Sequence, residues 1–257
     1  MNEQLASSRR CVFCGGKPVQ REDVWPKWIH RYLGRARTIS VTGSPEAGRE
    51  RQFQSLAYTA TAKCVCVACN GGWMSRLEDE ASRLLKPMFD ETINLDLSVD
   101  SQQLLGTWAT KTAMMIQFTQ DHRAIPIGVY RELFESGKPP RRSVIFVARR
   151  VMERMPNGSH SINWHIGVGA DPVVDKGEMY GVTFFIKNLV FQIVGYELKT
   201  AFDPNLEFPH RFQPYIQRLW PPWLSIRWPP ENPSFNDQQT LDFAFGLNEV
   251  RRRPTVS

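Results

Sequence analysis

The chain has 257 residues, of which 42% are hydrophobic and 23% are charged. This composition is typical of a folded globular protein and excludes an intrinsically disordered chain, and the length fits one large domain or a small domain with a larger companion. No apolar run reaches the about 18 residues that a membrane-spanning helix requires, and the first residues, MNEQLASSRRC, lack the apolar core of a secretory signal. We therefore expect a cytoplasmic protein that has reduced thiols and no membrane association.

Positive charge is concentrated in the N-terminal part of the chain. The formal net charge is +6, yet residues 1–76 alone hold twelve Lys or Arg against five Asp or Glu, a difference of +7. This excess favours an anionic partner such as nucleic acid. A solvated basic surface produces the same pattern about as often.

The sequence pattern of the N-terminal part predicts one helix and one strand. Residues 1–10 are polar and predict a flexible terminus. The segment KWIHRYLGR follows Pro26, which suits the start of a helix, and Gly34 suits its end. The sequence VTGSPEAGRERQ has the composition of a loop, whereas FQSLAYTATAK, residues 53–63, predicts a strand.

Two helices are predicted next. Apolar residues from Trp73 to Met88 recur at spacings of three and four, with Asn70 placed to cap the helix and Pro87 to end or kink it. A second run of apolar residues at helical spacing follows, and Asp100 or Ser101 would cap this second helix. We expect that helix to end near residue 121.

The remaining sequence favours strands. SVIFVARR, SINWHIGVG, GVTFFIK and LVFQIVGYEL are rich in β-branched and aromatic residues, and Lys187-Asn188 suits a tight hairpin turn. The class expected is α+β. We place a domain boundary near residue 78, with a cysteine-bearing domain over 11–78 and an accessory α+β module of unknown role over 79–257.

The cysteines predict a structural zinc site. Two Cys-x-x-Cys pairs, each followed by two glycines within the next three residues, have the spacing that lets both thiolates of one turn bind one ion; their members are Cys11, Cys14, Cys66 and Cys69. Cys64 is a spare thiol that could be a core residue or could replace Cys66. Four thiolates leave no open coordination position, so any reaction requires other groups.

The order of the motifs resembles that of a known enzyme family. Cys-x-x-Cys, the acidic pair in EDVWPKWI, and CNGGWMSRLE are similar to the HNH, or ββα-metal, endonucleases in their zinc-containing form. The segment LLGTWATKTAMM resembles the helix that follows in such proteins. The resemblance implies a small zinc-clamped ββα-metal (HNH) domain ahead of the mixed α+β module.

The resemblance also implies an active site. Glu22 occupies the place of one protein ligand of a catalytic divalent cation, and Asn70 occupies the place of the other. Oxygen ligands of this type suit Mg²⁺ or Mn²⁺. Asp23 stands where the family has its general-base histidine.

The carboxylate at position 23 leaves three alternatives. A carboxylate with a pKa near 4 is a weaker base than imidazole. Asp23 could therefore be a weaker base or an additional metal ligand, or the site could be inactive. His30 is a conceivable substitute base, although a surface histidine is the commoner case; Glu22 and Asp23 could also simply cap the following helix.

Basic and aromatic residues near the motifs suggest a nucleic-acid surface. Arg31, Arg35 and Arg37 would contact phosphates, with Arg31 and Arg35 on one helix face. Tryptophans at such positions pack in a core more often than they stack on bases.

The sequence thus predicts a metal-dependent endonuclease that acts on nucleic acid, with DNA the expected substrate. The alternative is a nucleic-acid-binding or regulatory protein that keeps the zinc fold without catalysis. The C-terminal module could support a homo-oligomer or bind a protein partner.

Overall fold

A computed structural model describes residues 10–17, 19–34, 37–44, 49–56, 60–120, 123–155, 157–168, 175–197, 206–246 and 251–252. Over residues 37–44, 49–56, 164–168, 175–176, 206–207 and 251–252 the description is of the backbone alone. The fold is a mixture of helices and strands, which confirms the predicted α+β class. No helix within these residues is long and apolar enough to cross a membrane.

Helices are interspersed among groups of strands along the chain. The strands are β1 (Val19–Asp23), β2 (Arg37–Ser44), β3 (Arg49–Leu56), β4 (Thr61–Cys66), β5 (Leu95–Leu97), β6 (Ser143–Arg149), β7 (Asn157–Val168), β8 (Asp175–Ile186), β9 (Leu189–Glu197), β10 (Leu206–Glu207), β11 (Ile216–Trp220), β12 (Ile226–Trp228) and β13 (Arg251–Arg252). The helices are α1 (Lys27–Leu33), α2 (Val67–Cys69), α3 (Ser75–Asp90), α4 (Val99–Gln117), α5 (Ile127–Ser136) and α6 (Asp237–Phe245). A π-helical turn (Asn70–Met74) joins α2 to α3, and a 3₁₀ turn spans His210–Tyr215.

A sheet of seven described strands forms the centre, in the order β11-β6-β9-β8-β7-β2-β3. Its pairs are antiparallel except for β2 with β7. Successive side chains of a strand point to opposite faces, so Phe184 and Phe185 of β8 enter two different cores. Phe184 packs against Trp108 of α4, whereas Phe185 lies in a cluster with Phe243 of α6. The sheet is therefore covered by helices on both faces.

The cysteine-bearing segment is built on a separate two-stranded pairing. Strand β1 pairs antiparallel with β4, from Val19 opposite Cys66 to Asp23 opposite Thr61, with an irregularity in register between Gln20 and Glu22. The helical run from α2 to α3 begins directly where β4 ends. Two strands with their helix thus form one unit, and the chain between β1 and β4 supplies α1, β2 and β3.

This unit packs against the remainder of the protein. Strand β2 joins the large sheet beside β7, with Ile39 opposite Gly158. One hydrophobic cluster contains Phe13 and Trp25 together with Trp108 and Trp228. Residue 78, where the sequence suggested a boundary, falls inside α3.

Some predicted elements agree with the structure. Helix α1 follows Pro26 and ends at Gly34, whose φ of 72° favours glycine. The four C-terminal strand segments correspond to β6–β9, and the turn at Lys187-Asn188 joins β8 to β9. Residues 1–9 lie outside the described part of the chain.

Other predictions are wrong. Residues 41–44 and 49–52, expected in a loop, are strand, because β2 and β3 pair with each other over their whole lengths. The single strand expected over 53–63 is divided between β3 and β4. The cap of α4 is Ser98, whose hydroxyl accepts a hydrogen bond from the Ser101 amide, and the helix ends at Gln117 rather than near 121. Helix α3 continues through Pro87 for three further residues.

Candidate functional site: the cysteine centre and the Glu22–Asn70 pair

The two cysteine pairs meet at one point. The sulfur atoms of Cys11, Cys14, Cys66 and Cys69 all lie within 4.8 Å of one another. The sulfurs of Cys14 and Cys66 are 3.5 Å apart. Sulfurs bound tetrahedrally to zinc at about 2.3 Å lie about 3.8 Å apart, so this cluster has the dimensions of a four-thiolate site.

The backbone around each pair is arranged to support thiolates. The Gly16 amide donates to the Cys14 sulfur at 3.3 Å, and the Cys69 amide donates to the Cys66 sulfur at 3.4 Å. Gly15 has a φ of 73°, which closes the first turn so that the Cys11 amide donates to the Gly16 carbonyl. Amide donors to sulfur are the usual outer partners of a structural zinc site. The four cysteines are therefore compatible with a structural metal such as zinc.

The spare thiol, Cys64, differs from the cluster. It is completely buried, and this burial raises its pKa to about 12. Burial also acts to raise the pKa of Cys66, but the Cys69 amide and the neighbouring thiols outweigh it, and the pKa of Cys66 is lowered. Burial also raises the pKa of Cys14 and Cys69, so position rather than pKa distinguishes Cys64: its sulfur is not among the four that meet. The alternative in which Cys64 replaces Cys66 is not the arrangement in the structure.

The acidic residue predicted as a ligand contacts the predicted asparagine. The Asn70 side-chain amide donates a hydrogen bond to the Glu22 carboxylate, although 48 residues separate them. Glu22 is on β1, and Asn70 follows the last residue of α2 directly, so the β1–β4 pairing brings them together. Both side chains are half-buried. Asn70 has helical dihedral angles and does not cap the helix; the Cys66 sulfur accepts the capping hydrogen bond instead.

The backbone is irregular on both sides of this contact. The register of β1 with β4 shifts between Gln20 and Glu22. On the helical side, the Ser75 amide donates back to the Asn70 carbonyl across a π turn, and Gly72 departs from helical dihedral angles at φ −98° and ψ −109°. Bulges and π turns redirect single side chains and are frequent at functional sites.

The Glu22 carboxylate lies in a strongly charged environment. Burial raises its pKa, the charge of Asp23 raises it further, and Lys111 and Lys27 lower it. Asp23 ends β1 and is half-buried. Two adjacent carboxylates favour the binding of a cation, because a cation relieves their mutual repulsion. Carboxylate and amide oxygens are ligands of the kind that Mg²⁺ and Mn²⁺ use.

A second group of charged residues was not anticipated from the sequence. Lys111 of α4 forms an ion pair with Glu78 of α3, and the exposed fractions of the two side chains are only 3% and 12%. The indoles of Trp28 and Trp108 donate to the same carboxylate at 3.0 and 2.9 Å. A lysine inside the apolar face of a helix was the available signal, because a buried lysine requires a partner.

The remaining predicted residues are distributed as follows. Arg31 is exposed on α1, and Arg35 and the side chain of Arg37 lie outside the described residues. His30 is half-buried on α1. The tryptophans near the motifs pack against the core: Trp25 is buried, and the partly buried Trp73 lies against Phe13 with ring centres 5.1 Å apart.

A separate open cleft lies between α3 and α4. Its volume is about 660 Å³, and its lining includes Trp73, Arg76, Arg83 and Asp100. Glu22, Asp23 and Asn70 do not line it. The cleft is therefore distinct from the Glu22–Asn70 contact.

Comparison of this sequence and structure with protein-family models, with curated proteins and with solved structures gives no match.

Proposed function

We propose that the protein is a metal-dependent endonuclease of the HNH type, which hydrolyses phosphodiester bonds in nucleic acid, with DNA as the expected substrate. The observation that carries this proposal is the contact between Glu22 and Asn70 beside the four-cysteine cluster. These are the two residues that the resemblance of the motifs assigns as cation ligands. Strands β1 and β4 with helix α3 are then the ββα-metal unit.

In this proposal the two metal sites have different roles. The cysteines hold a structural zinc ion, since four thiolates leave no position for substrate. Glu22 and Asn70 hold Mg²⁺ or Mn²⁺, which when bound supplies positive charge to the scissile phosphate and to the leaving oxygen. Asp23 accepts the proton of the attacking water, and Arg31, exposed on α1, contacts a phosphate of the strand.

One observation favours a second candidate function. Position 23 carries a carboxylate, whereas the HNH endonucleases that the motifs resemble have a histidine imidazole there. A carboxylate is the weaker base near neutral pH. In the second candidate function this carboxylate does not activate water, and the protein binds nucleic acid without cleaving it. Such a binding protein needs no divalent cation beyond zinc, so Mn²⁺ binding discriminates between the two functions.

The test is nicking of supercoiled plasmid by the zinc-loaded protein in the presence of Mg²⁺ or Mn²⁺. We expect the wild type to nick the plasmid, and Glu22→Gln and Asn70→Ala to be inactive with unchanged zinc content. Asp79→Asn is the matched control, because Asp79 is an exposed carboxylate on α3. Wild-type rates in both site variants would disprove the assignment.

Asp23→His tests the base. We expect this variant to retain or exceed wild-type nicking, because imidazole is a better base near neutral pH. Complete loss of nicking would instead assign Asp23 as a metal ligand. An inactive but folded wild type that binds DNA at low salt and does not bind Mn²⁺ would support the second candidate.

A further inference from the structure

The Glu78 carboxylate joins three helices. One of its oxygens accepts from Lys111, and the other accepts from the indole N–H groups of both Trp28 and Trp108. Trp28 belongs to α1, Glu78 to α3, and the other two residues to α4. All three donors converge on one carboxylate that is largely removed from water.

Stability alone does not account for this arrangement. Moving a carboxylate and an ammonium out of water costs several kcal/mol for each ion, and their attraction offsets this cost only in part. Apolar residues of similar volume often give an equal or higher stability in such a place. A buried ion pair also fixes how the helices are placed, because its hydrogen bonds form in only one relative position of the helices.

The position of Trp28 shows which two segments this fixed geometry connects. Helix α1 begins four residues after Asp23, which is the last residue of the strand that carries Glu22, and α3 continues the helical run that contains Asn70. The bond from the Trp28 indole to Glu78 therefore connects the two segments whose side chains meet in the Glu22–Asn70 contact. Trp108 makes a bond of nearly the same length to the same oxygen, but it connects α3 only to α4.

We propose that Glu78 is a positioning residue, whose hydrogen bond from Trp28 holds the segment of Glu22 against the helix of Asn70. This inference rests on the proposed function, in which those two residues bind the catalytic cation. Lys111 supplies the counter-charge that keeps Glu78 an acceptor for both indoles.

The two tryptophans provide a matched test. Trp28→Phe and Trp108→Phe each remove one indole N–H from the same Glu78 oxygen and keep an aromatic ring. Trp108 is completely buried, whereas Trp28 is only partly buried. A purely structural role therefore predicts the larger effect for Trp108→Phe, and a positioning role predicts the larger effect for Trp28→Phe.

The first readout requires no added metal. The side-chain amide signal of Asn70, assigned with Asn70→Ala, reports its contact with Glu22 in nuclear magnetic resonance spectra of the zinc-loaded full chain. We expect Trp28→Phe to move this signal toward that of a solvent-exposed amide, and Trp108→Phe to leave it near its wild-type position. The second readout is Mn²⁺ affinity, for which we expect about a tenfold loss in Trp28→Phe alone, at the low end of the range for loss of a direct outer partner, because Trp28 acts through Glu78.

The outcomes separate the two proposals. An unchanged Asn70 signal in Trp28→Phe, or an equal or larger change in Trp108→Phe, would overturn the positioning role. Absence of Mn²⁺ binding by the wild type would refute the proposed endonuclease, while the Asn70 signal would still decide whether Glu78 positions the contact.

Discussion

Removal of the Lys111 ammonium is the perturbation with the clearest expected magnitude. Lys111→Met keeps the volume of the side chain but leaves the Glu78 carboxylate, 12% exposed, without its counter-charge. Breaking a buried pair in this way costs about 3–5 kcal/mol. Two indole donors remain on the carboxylate, so we expect the lower end, about 3 kcal/mol.

The assay is unfolding of the zinc-loaded protein by denaturant at neutral pH, followed by circular dichroism. In a thermal scan the same loss corresponds to a fall in Tm of roughly 6–12 °C for a chain of this size. The control is the double variant Glu78→Gln with Lys111→Met, which removes both charges and keeps an oxygen for the indoles. We expect its free energy of unfolding to lie within about 1 kcal/mol of the wild type. A single variant as stable as the wild type, or a double variant less stable than the single, would refute the argument.

Two further predictions concern the thiols and a buried histidine. Cys66→Ala should lose the bound zinc, whereas Cys64→Ala should retain one equivalent by metal analysis, because the Cys64 sulfur is outside the cluster; equal zinc in both variants would contradict the ligand set. Burial lowers the pKa of His160 to about 4, so the unfolded chain binds a proton first as pH falls. Stability should then fall from about pH 6.5 to pH 4 by on the order of 2–3 kcal/mol, and His160→Leu should reduce that slope; an unchanged slope would show that other groups cause it.

Local chemistry was sufficient to predict several elements. Pro26 fixes its own φ ahead of the first turn of α1, and Gly34 permits the positive φ at which the helix ends, so its bounds follow from the sequence. The hairpin turn at Lys187-Asn188 is likewise a local feature. Strand β2 and the first half of β3 were missed because they pair with each other and β2 pairs with β7. Tertiary structure selects these partners, and polar strand residues carry no local signal of that choice.

The candidate site divides in the same way. The spacing of the cysteine pairs predicts which four sulfurs meet, because each pair can bind one ion from within a single turn. The Glu78–Lys111 pair has no such spacing: its members are 33 positions apart and lie on two different helices. A glutamate and a lysine on different helices become partners only when those helices pack, so their ion pair could not be inferred from the chain alone.

The amino-acid sequence by itself determined which candidate side chains are present and where along the chain they stand: two cysteine pairs, an acidic pair and an asparagine, each beside a turn or helix end. Tertiary structure alone decided which of them meet. The β1–β4 pairing brings Glu22 to Asn70 across 48 positions, and the packing of α1, α3 and α4 encloses Glu78 with Lys111. The physical reason is the separation along the chain over which each interaction acts. Turns and caps are set by neighbouring residues, whereas burial and ion pairing depend on the whole packed chain.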